Sequence, residues 1–245
     1  MNKKDLTQYE RDGFFILKKV IKKRDCHNFK HKVIKPILKE NGISLTNKIT
    51  WKGKYGECIL AKDGGDHPIG INNPYNRWNK IFDSPQLLAA LDQIHGRSKK
   101  WNWLYGAEIG LGWIHLRFPN SESKEWIPPN SGWHLDGSDG NKVDPKQSVI
   151  LLPLITSITH GGGGTAILKG SHKLINDWLH KSKNKRQHLD SFLSQQIKKN
   201  GPNIIEATGQ AGDILIMHPH LIHSSSNALE NHPIRITFNL ATQTI

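Results

Sequence analysis

The sequence predicts a mainly β protein, a sandwich or barrel with flanking helices packed on its outer face. Three observations lead there. From Trp101 onward the apolar residues fall in short runs or strict alternation bounded by turn residues, the pattern of half-buried strands. Ahead of that point two segments carry apolar residues at helical spacing instead. Finally, a chain of 245 residues can bury a substantial core, and sandwiches and barrels of this length stay single. One domain over residues 1–245 is therefore expected, with a helical and looped part at 1–100 and a β core at 101–245.

Taken in order, Gly13-Phe14-Phe15-Ile16-Leu17 lies between polar residues and a basic turn and reads as a short strand. Asp25 can cap a helix in which Cys26, Phe29, Val33, Ile34, Ile37 and Leu38 recur at helical spacing; Pro36 is placed to kink it and Asn41-Gly42 to stop it. Residues 43–80 are rich in Gly, Asn, Asp and Pro and form a long irregular excursion, whose Trp51, Tyr55, Tyr75 and Trp78 suit a lid. Ser84-Pro85 has the N-cap and first-turn proline of a helix, and Leu87, Leu88, Leu91 and Ile94 form its stripe up to His95-Gly96. Strands are predicted over 101–105, 109–118, 148–155, 165–168, 204–207, 213–217 and 234–241. Residues 173–200 interrupt them with Trp178, Leu179, Leu189, Phe192, Leu193 and Ile197 before a Gly201-Pro202 stop, a helical insertion.

The balance of 34 Lys+Arg against 21 Asp+Glu gives a net charge of +13, which favours an anionic partner. The basic residues cluster at 18–35 and 181–186, however, in surface helices or loops without interleaved aromatics, so a solvated face is the better reading and nucleic acid is not the expected partner. The N-terminus lacks the apolar run of a leader, and no stretch is long enough for a membrane span. Cys26 and Cys58 are too few for a disulfide framework. A cytoplasmic protein is expected.

The chemistry centres on Trp133-His134-Leu135-Asp136-Gly137. Alternate residues of an extended strand share a face, so His134 and Asp136 stand side by side. One more neutral nitrogen would complete the 2-His-1-carboxylate set of non-haem Fe(II) oxygenases, which leaves positions open for substrate and O2. His218, His220 and His223 compete for that role, and spacing alone does not choose among them. Further on, Ile234-Arg235-Ile236-Thr237-Phe238-Asn239-Leu240 alternates cleanly. In an ordinary sandwich its polar face would be wet; in a barrel that holds a ligand it would line the cavity, and an inward Arg235 would then need an anion, best a carboxylate gripped by its planar fork. The Gly161–Gly164 run is not followed by the Lys-Ser/Thr of a phosphate loop and reads as a tight turn between strands. Trp133 reads equally well as a pocket wall or a core aromatic, and His172 as structural.

In this pattern the sequence resembles the phytanoyl-CoA dioxygenase-like branch of the Fe(II)/2-oxoglutarate-dependent oxygenases. Tyr9-Glu10-Arg11-Asp12-Gly13-Phe14 resembles the family's opening, and residues 133–137 its His-x-Asp motif. Gly162-Gly163-Gly164-Thr165 with Lys169-Gly170-Ser171-His172, and Gly212-Asp213 followed by His223-Ser224-Ser225, Asn227 and Arg235, resemble its later segments. The resemblance implies a double-stranded β-helix, the jelly roll of the cupins. It implies Fe(II) held by His134, Asp136 and His223, and 2-oxoglutarate held through its distal carboxylate by Arg235 with help from Ser225. Arg117, on the strand before the motif, would face the cosubstrate or the substrate. Ser224 stands where glycine is usual and Lys169 where proline is common; neither removes a ligand. Asp136 is retained where related halogenases have a small residue, which implies hydroxylation of a small molecule with O2 consumed and succinate and CO2 released. Basic residues in the less family-like segments permit an anionic substrate. Two other readings are a cupin-type metal- or ligand-binding protein without turnover and an oxygenase acting on nucleic acid.

Overall fold

The computed structural model describes residues 1–51, 57–60, 79–105, 113–136, 138–139, 142–143, 147–181 and 188–245. It opens with α1 (Lys3–Asp12), a helix the apolar pattern does not announce. Its start is fixed by a capping box, in which the Asn2 side chain accepts from the Asp5 amide while Asp5 accepts from the Asn2 amide. Gly13, at φ 82°, ends it. Strand β1 (Phe14–Leu17) follows as expected. The next helix starts earlier than Asp25 implies, as α2 (Lys23–Phe29) with Asp25 in its first turn, and passes through a π-helical turn at Lys30–Ile34 into α3 (Lys35–Glu40). The π turn sits just before Pro36, where a break in the regular hydrogen-bond ladder absorbs the imino acid.

Within the 43–80 excursion the structure contains a short 3-10 turn at Lys48–Trp51 and a strand, β2 (Glu57–Leu60), so that segment is not wholly irregular. Tyr55, Tyr75 and Trp78, and with them the expected lid, lie outside the described residues. Helices α4 (Asn79–Phe82) and α5 (Pro85–His95) come next, the latter capped by Ser84 with Pro85 in its first turn. The remaining strands are β3 (Trp101–Tyr105), β4 (Trp113–Arg117), β5 (Pro119–Ser121), β6 (Ser138–Asp139), β7 (Lys142–Val143), β8 (Val149–Pro153), β9 (Thr165–Leu168), β10 (Ile204–Glu206), β11 (Ile214–Met217), β12 (His223–Ser225), β13 (Ala228–Leu229) and β14 (Arg235–Thr244). The insertion between β9 and β10 is helical, as α6 (Ser171–Lys181) and α7 (Leu189–Asn200).

A major antiparallel sheet runs β1-β11-β8-β14-β4-β2, with β3 also on β14; a three-stranded sheet runs β10-β9-β12. The major sheet is covered on both faces. Phe15, Leu17, Ile114, Leu116, Leu151, Ile216, Ile236 and Phe238 point to one side and pack with Phe29, Ile34, Leu38, Ile81, Phe82 and Leu87 from the helices. The alternate residues point toward the smaller sheet. Near β1 and β11 this inner face is apolar, with Phe14, Ile150, Leu152, Leu215 and Met217 against Ile167, Ala207 and Leu221. Along β14 and β4 it is polar, yet Arg235 and Thr237 are only 4% and 3% exposed. The smaller sheet is backed in turn by α6 and α7, where Leu135, Leu168 and Ile222 meet Ile175, Trp178, Leu189 and Leu193. This is the predicted mainly β architecture with helices outside it, and Cys26 is a buried free thiol beneath them.

Where β11 leaves the sheet, His218 stands between His172 and His220, at ring-centroid distances of 5.1 and 5.2 Å. Burial holds all three imidazoles below their usual range, and His218 is pushed down to about 3 by burial and then by its two neighbours. The folded chain therefore refuses protons that the unfolded chain accepts below its ordinary histidine value, so stability should fall as pH drops from neutrality toward about 3. Urea midpoints at about pH 7 and about pH 5 measure the drop, and His218→Gln should reduce it. An unchanged drop in the variant would assign the acid sensitivity elsewhere.

Candidate metal and cosubstrate site

His134 pairs with His223 of β12 in an antiparallel bridge, with amide-to-carbonyl distances of 3.0 and 3.2 Å in the two directions. Directly opposed residues share a face, and so does Asp136 two positions on, so all three side chains project into the space between the sheets. The residues between them turn the other way: Leu135 and Ile222 are buried under α6 and α7. Ser171, at the start of α6, accepts the Ile222 amide through its hydroxyl at 2.8 Å. The helical insertion thus grips the backbone immediately beside His223.

Both imidazoles have a defined tautomer. Nδ1 of His134 lies 2.7 Å from the Gly132 carbonyl and Nδ1 of His223 lies 2.9 Å from the Leu221 carbonyl. A carbonyl only accepts, so each Nδ1 carries the proton and each Nε2 presents a lone pair. Those Nε2 atoms lie 3.4 and 3.6 Å from the same Asp136 oxygen, Oδ1. Oδ2 of Asp136 is buried with no hydrogen-bond partner among the described residues. The ligand atoms of the three residues all fall within 4.8 Å of one another. Three electron-pair donors brought this close repel unless a cation sits among them, and two imidazoles with one carboxylate suit a divalent transition metal with positions left open. With a proton rather than a metal on each Nε2, burial pushes the Asp136 carboxyl up, but the charge of a protonated His223 and hydrogen bonds from both imidazoles outweigh it and hold it well below the usual carboxylate range. The group is therefore a carboxylate at neutral pH.

The space these residues face is a cavity of about 270 Å³, enough for a small carboxylic acid. Its opposite wall comes from the polar end of the major sheet: Arg235, Thr237 and Asn239 of β14, with His115 of β4, which pairs with Thr237. Thr165, Ser224 and Ser225 line it from the smaller sheet. The polar alternation on β14 therefore faces a cavity rather than solvent. Nη1 of Arg235 donates to the Gly163 carbonyl at 2.9 Å, which ties the guanidinium to the glycine turn.

Of the candidates from sequence, the structure brings together His134, Asp136, His223, Arg235 and Ser225. Arg117 is directly across from Arg235 and is 7% exposed, but it does not line the cavity; its side chain packs on Gly163 instead. His218 and His220 sit with His172 and Asn176, outside the three-residue cluster. Sequence reasoning passed over His115 and Thr165 as cavity residues; alternation with Arg117 and with Ile167 would have marked both. A metal-binding site predicts that Fe(II) or Ni(II) stabilises the protein by about 2.7 kcal/mol at roughly a hundredfold excess over Kd, seen as a rise in its thermal midpoint, and that Asp136→Asn removes the rise. A midpoint indifferent to both metals in the wild-type protein would refute the site.

The phytanoyl-CoA dioxygenase (PhyH) family matches residues 80–235, which include all of the residues in the cluster and Arg235. Among solved structures, the non-haem α-ketoglutarate-dependent carbocyclase SnoK from nogalamycin biosynthesis superposes with a TM-score of 0.59 at 11% identity, over 99% of this chain and 84% of that one. HygX from Streptomyces hygroscopicus, with nickel and 2-oxoglutarate bound, gives a TM-score of 0.55 at 13% identity, over 99% and 87%. The epimerase SnoN, also non-haem and α-ketoglutarate-dependent, gives 0.56 at 14% identity, over 98% and 80%. At these identities the likeness establishes the jelly-roll fold. No curated protein sequence matches the chain. No helix among the described residues is long and apolar enough to cross a membrane. With a family match over more than half its length, the chain belongs to the phytanoyl-CoA dioxygenase family of Fe(II)- and 2-oxoglutarate-dependent oxygenases.

Proposed function

We propose that this protein hydroxylates a C–H bond of a small molecule, with Fe(II) held by His134, Asp136 and His223 and the distal carboxylate of 2-oxoglutarate held by Arg235 and Ser225. The observation that carries this reading is the convergence of two Nε2 lone pairs and a carboxylate on one side of a cavity whose other side presents a buried guanidinium. When bound, iron with 2-oxoglutarate and O2 supplies the oxidising power: one oxygen atom goes to succinate as CO2 is lost, and the other becomes the hydroxyl of the product.

The chain's own residues bind, orient and exclude water. Arg235, in a low-dielectric site, offers a fork matched to a carboxylate, which fixes one end of the cosubstrate and points its keto acid toward the metal ligands. Asp136 occupies the position that a halide would need, which favours hydroxylation. The His134 side chain is 48% exposed against 7% for His223, so the three-residue cluster is open to solvent past His134, and substrate would approach from that side. HygX, solved with hygromycin B bound, sets the precedent of a small-molecule substrate on this fold. The net charge of +13 favours an anionic one.

Uncoupled turnover needs no knowledge of the substrate. Succinate formation from 2-oxoglutarate should depend on Fe(II) and O2 and should disappear in Asp136→Ala; persistent wild-type turnover in that variant would sink the assignment. Arg235→Gln removes a charge-assisted contact worth about 1.5–3 kcal/mol, so the KM for 2-oxoglutarate should rise about tenfold or more. Metal binding in that variant should stay near wild type. A protein that binds metal and 2-oxoglutarate without forming succinate would instead be a binding protein on the same fold.

A further inference from the structure

We propose that Glu206 is a positioning residue for the cosubstrate: it locks the Gly161–Gly164 turn so that the Gly163 carbonyl holds Arg235 in its carboxylate-binding pose. This rests on the assignment of Arg235 to 2-oxoglutarate. Glu206 ends β10 and its side chain is fully buried. One carboxylate oxygen accepts the Gly161 amide at 2.6 Å and the other accepts the Gly164 amide at 2.7 Å. The first also lies 3.1 Å from Nδ1 of His160, an exposed residue at the edge of the turn. The carbonyls of the turn are held from the other side. Gly163 accepts from Nη1 of Arg235 at 2.9 Å, and Gly164 accepts from the hydroxyl of Ser226.

The turn has one way to sit. Gly163 is at φ 76°, and a Cβ there would come within 2.9 Å of both Cγ of Arg117 and Cβ of Ala228. A Cβ on Gly164 would lie 2.2 Å from the Ala207 carbonyl oxygen and 2.9 Å from Cγ of Glu206. Glycine is required because backbone, acid and guanidinium stem crowd the same two residues. Burying a carboxylate is costly unless its charge and lone pairs are answered, and a turn that only joined two strands could be held by neutral groups. Here the acid lies on one side of the turn while two buried arginines, Arg117 and Arg235, lie on the other. Holding Arg235 by one nitrogen before the cosubstrate arrives spares the entropy of ordering it on binding.

The test is an anaerobic titration of the Fe(II)-loaded protein with 2-oxoglutarate, read by the charge-transfer absorbance of the chelate, in wild type, Glu206→Gln, Arg235→Gln and the double variant. Glu206→Gln should weaken 2-oxoglutarate binding about tenfold, while Ni(II) affinity measured without 2-oxoglutarate stays within about twofold of wild type. In the Arg235→Gln background the second substitution should cost nothing more, because the acid acts through the arginine. Unchanged 2-oxoglutarate affinity in a folded Glu206→Gln protein, additive losses in the double variant, or a parallel loss of Ni(II) affinity would each overturn the proposal. Should Glu206→Gln not fold, Ser226→Ala loosens the same turn from its other side and should show the same pattern, and wild-type 2-oxoglutarate affinity there would overturn it. Wild-type protein that binds Ni(II) but not 2-oxoglutarate would refute the cosubstrate assignment itself, whereas weakening by Arg235→Gln alone would leave that assignment standing and reject only the role of Glu206.

Discussion

The antiparallel bridge between His134 and His223 is the constraint on which the site depends. Two backbone hydrogen bonds put residues 89 positions apart into register, and the pleat does the rest, turning both imidazoles and Asp136 inward and Leu135 and Ile222 outward. A slip of one residue on either side would exchange polar for apolar groups. The outward pair prevents it, because Leu135 and Ile222 are sealed under Ile175, Trp178 and Leu193. The helices that interrupt the β pattern therefore stabilise the register of the polar cluster, and the hydrophobic effect on one face fixes electron-pair donors on the other.

Across the cavity the same logic operates with a higher energetic stake. The inner face of the major sheet could have been apolar throughout, as it is at β1, β11 and β8. Instead β14 and β4 bury Arg235, Thr237 and Arg117 between two sheets, with a partly exposed His115 beside them. Polar groups in that position cost stability unless partnered; Arg235 has the Gly163 carbonyl, and its planar fork suits a carboxylate besides. Behind the polar wall the outer face is apolar, with Ile114, Leu116, Ile236, Phe238 and Leu240 in the core and Phe238 edge-on to Phe29 at 5.3 Å.

Much of this was legible in the sequence, and the limits have physical reasons. Alternation at 234–240 announced β14 and its two faces, but whether the polar face met water or a cavity depends on a second sheet that pairs with residues far away. Ser84-Pro85 announced α5 because capping is a local matter. The capping box of α1 was equally local, at Asn2 and Asp5, but the helix that follows buries only Tyr9 and so carries no apolar stripe to be noticed. Strand β2 was hidden in a turn-rich stretch because its pairing with β4, not its own composition, defines it. Spacing could not separate His218, His220 and His223; three histidines within six residues differ only in which neighbour the fold gives them. The glycine turn was readable as a turn, but its grip on Arg235 spans 72 positions and had no local mark.

The strand that carries Arg235 is also the longest and lies in the interior of the major sheet, flanked by β8 and β4 and extended by β3. It is the last of the described strands to be synthesised. Until residues 235–244 emerge, β8 and β4 lack the strand that joins them, and the wall that carries Arg235 is missing. Such a sheet closes through contacts of high sequence separation, which makes folding slow and leaves the nascent chain exposed to mispairing. Pairing of β14 with β8 and β4 thus joins the two parts of the major sheet and sets the wall that carries Arg235 in the same step.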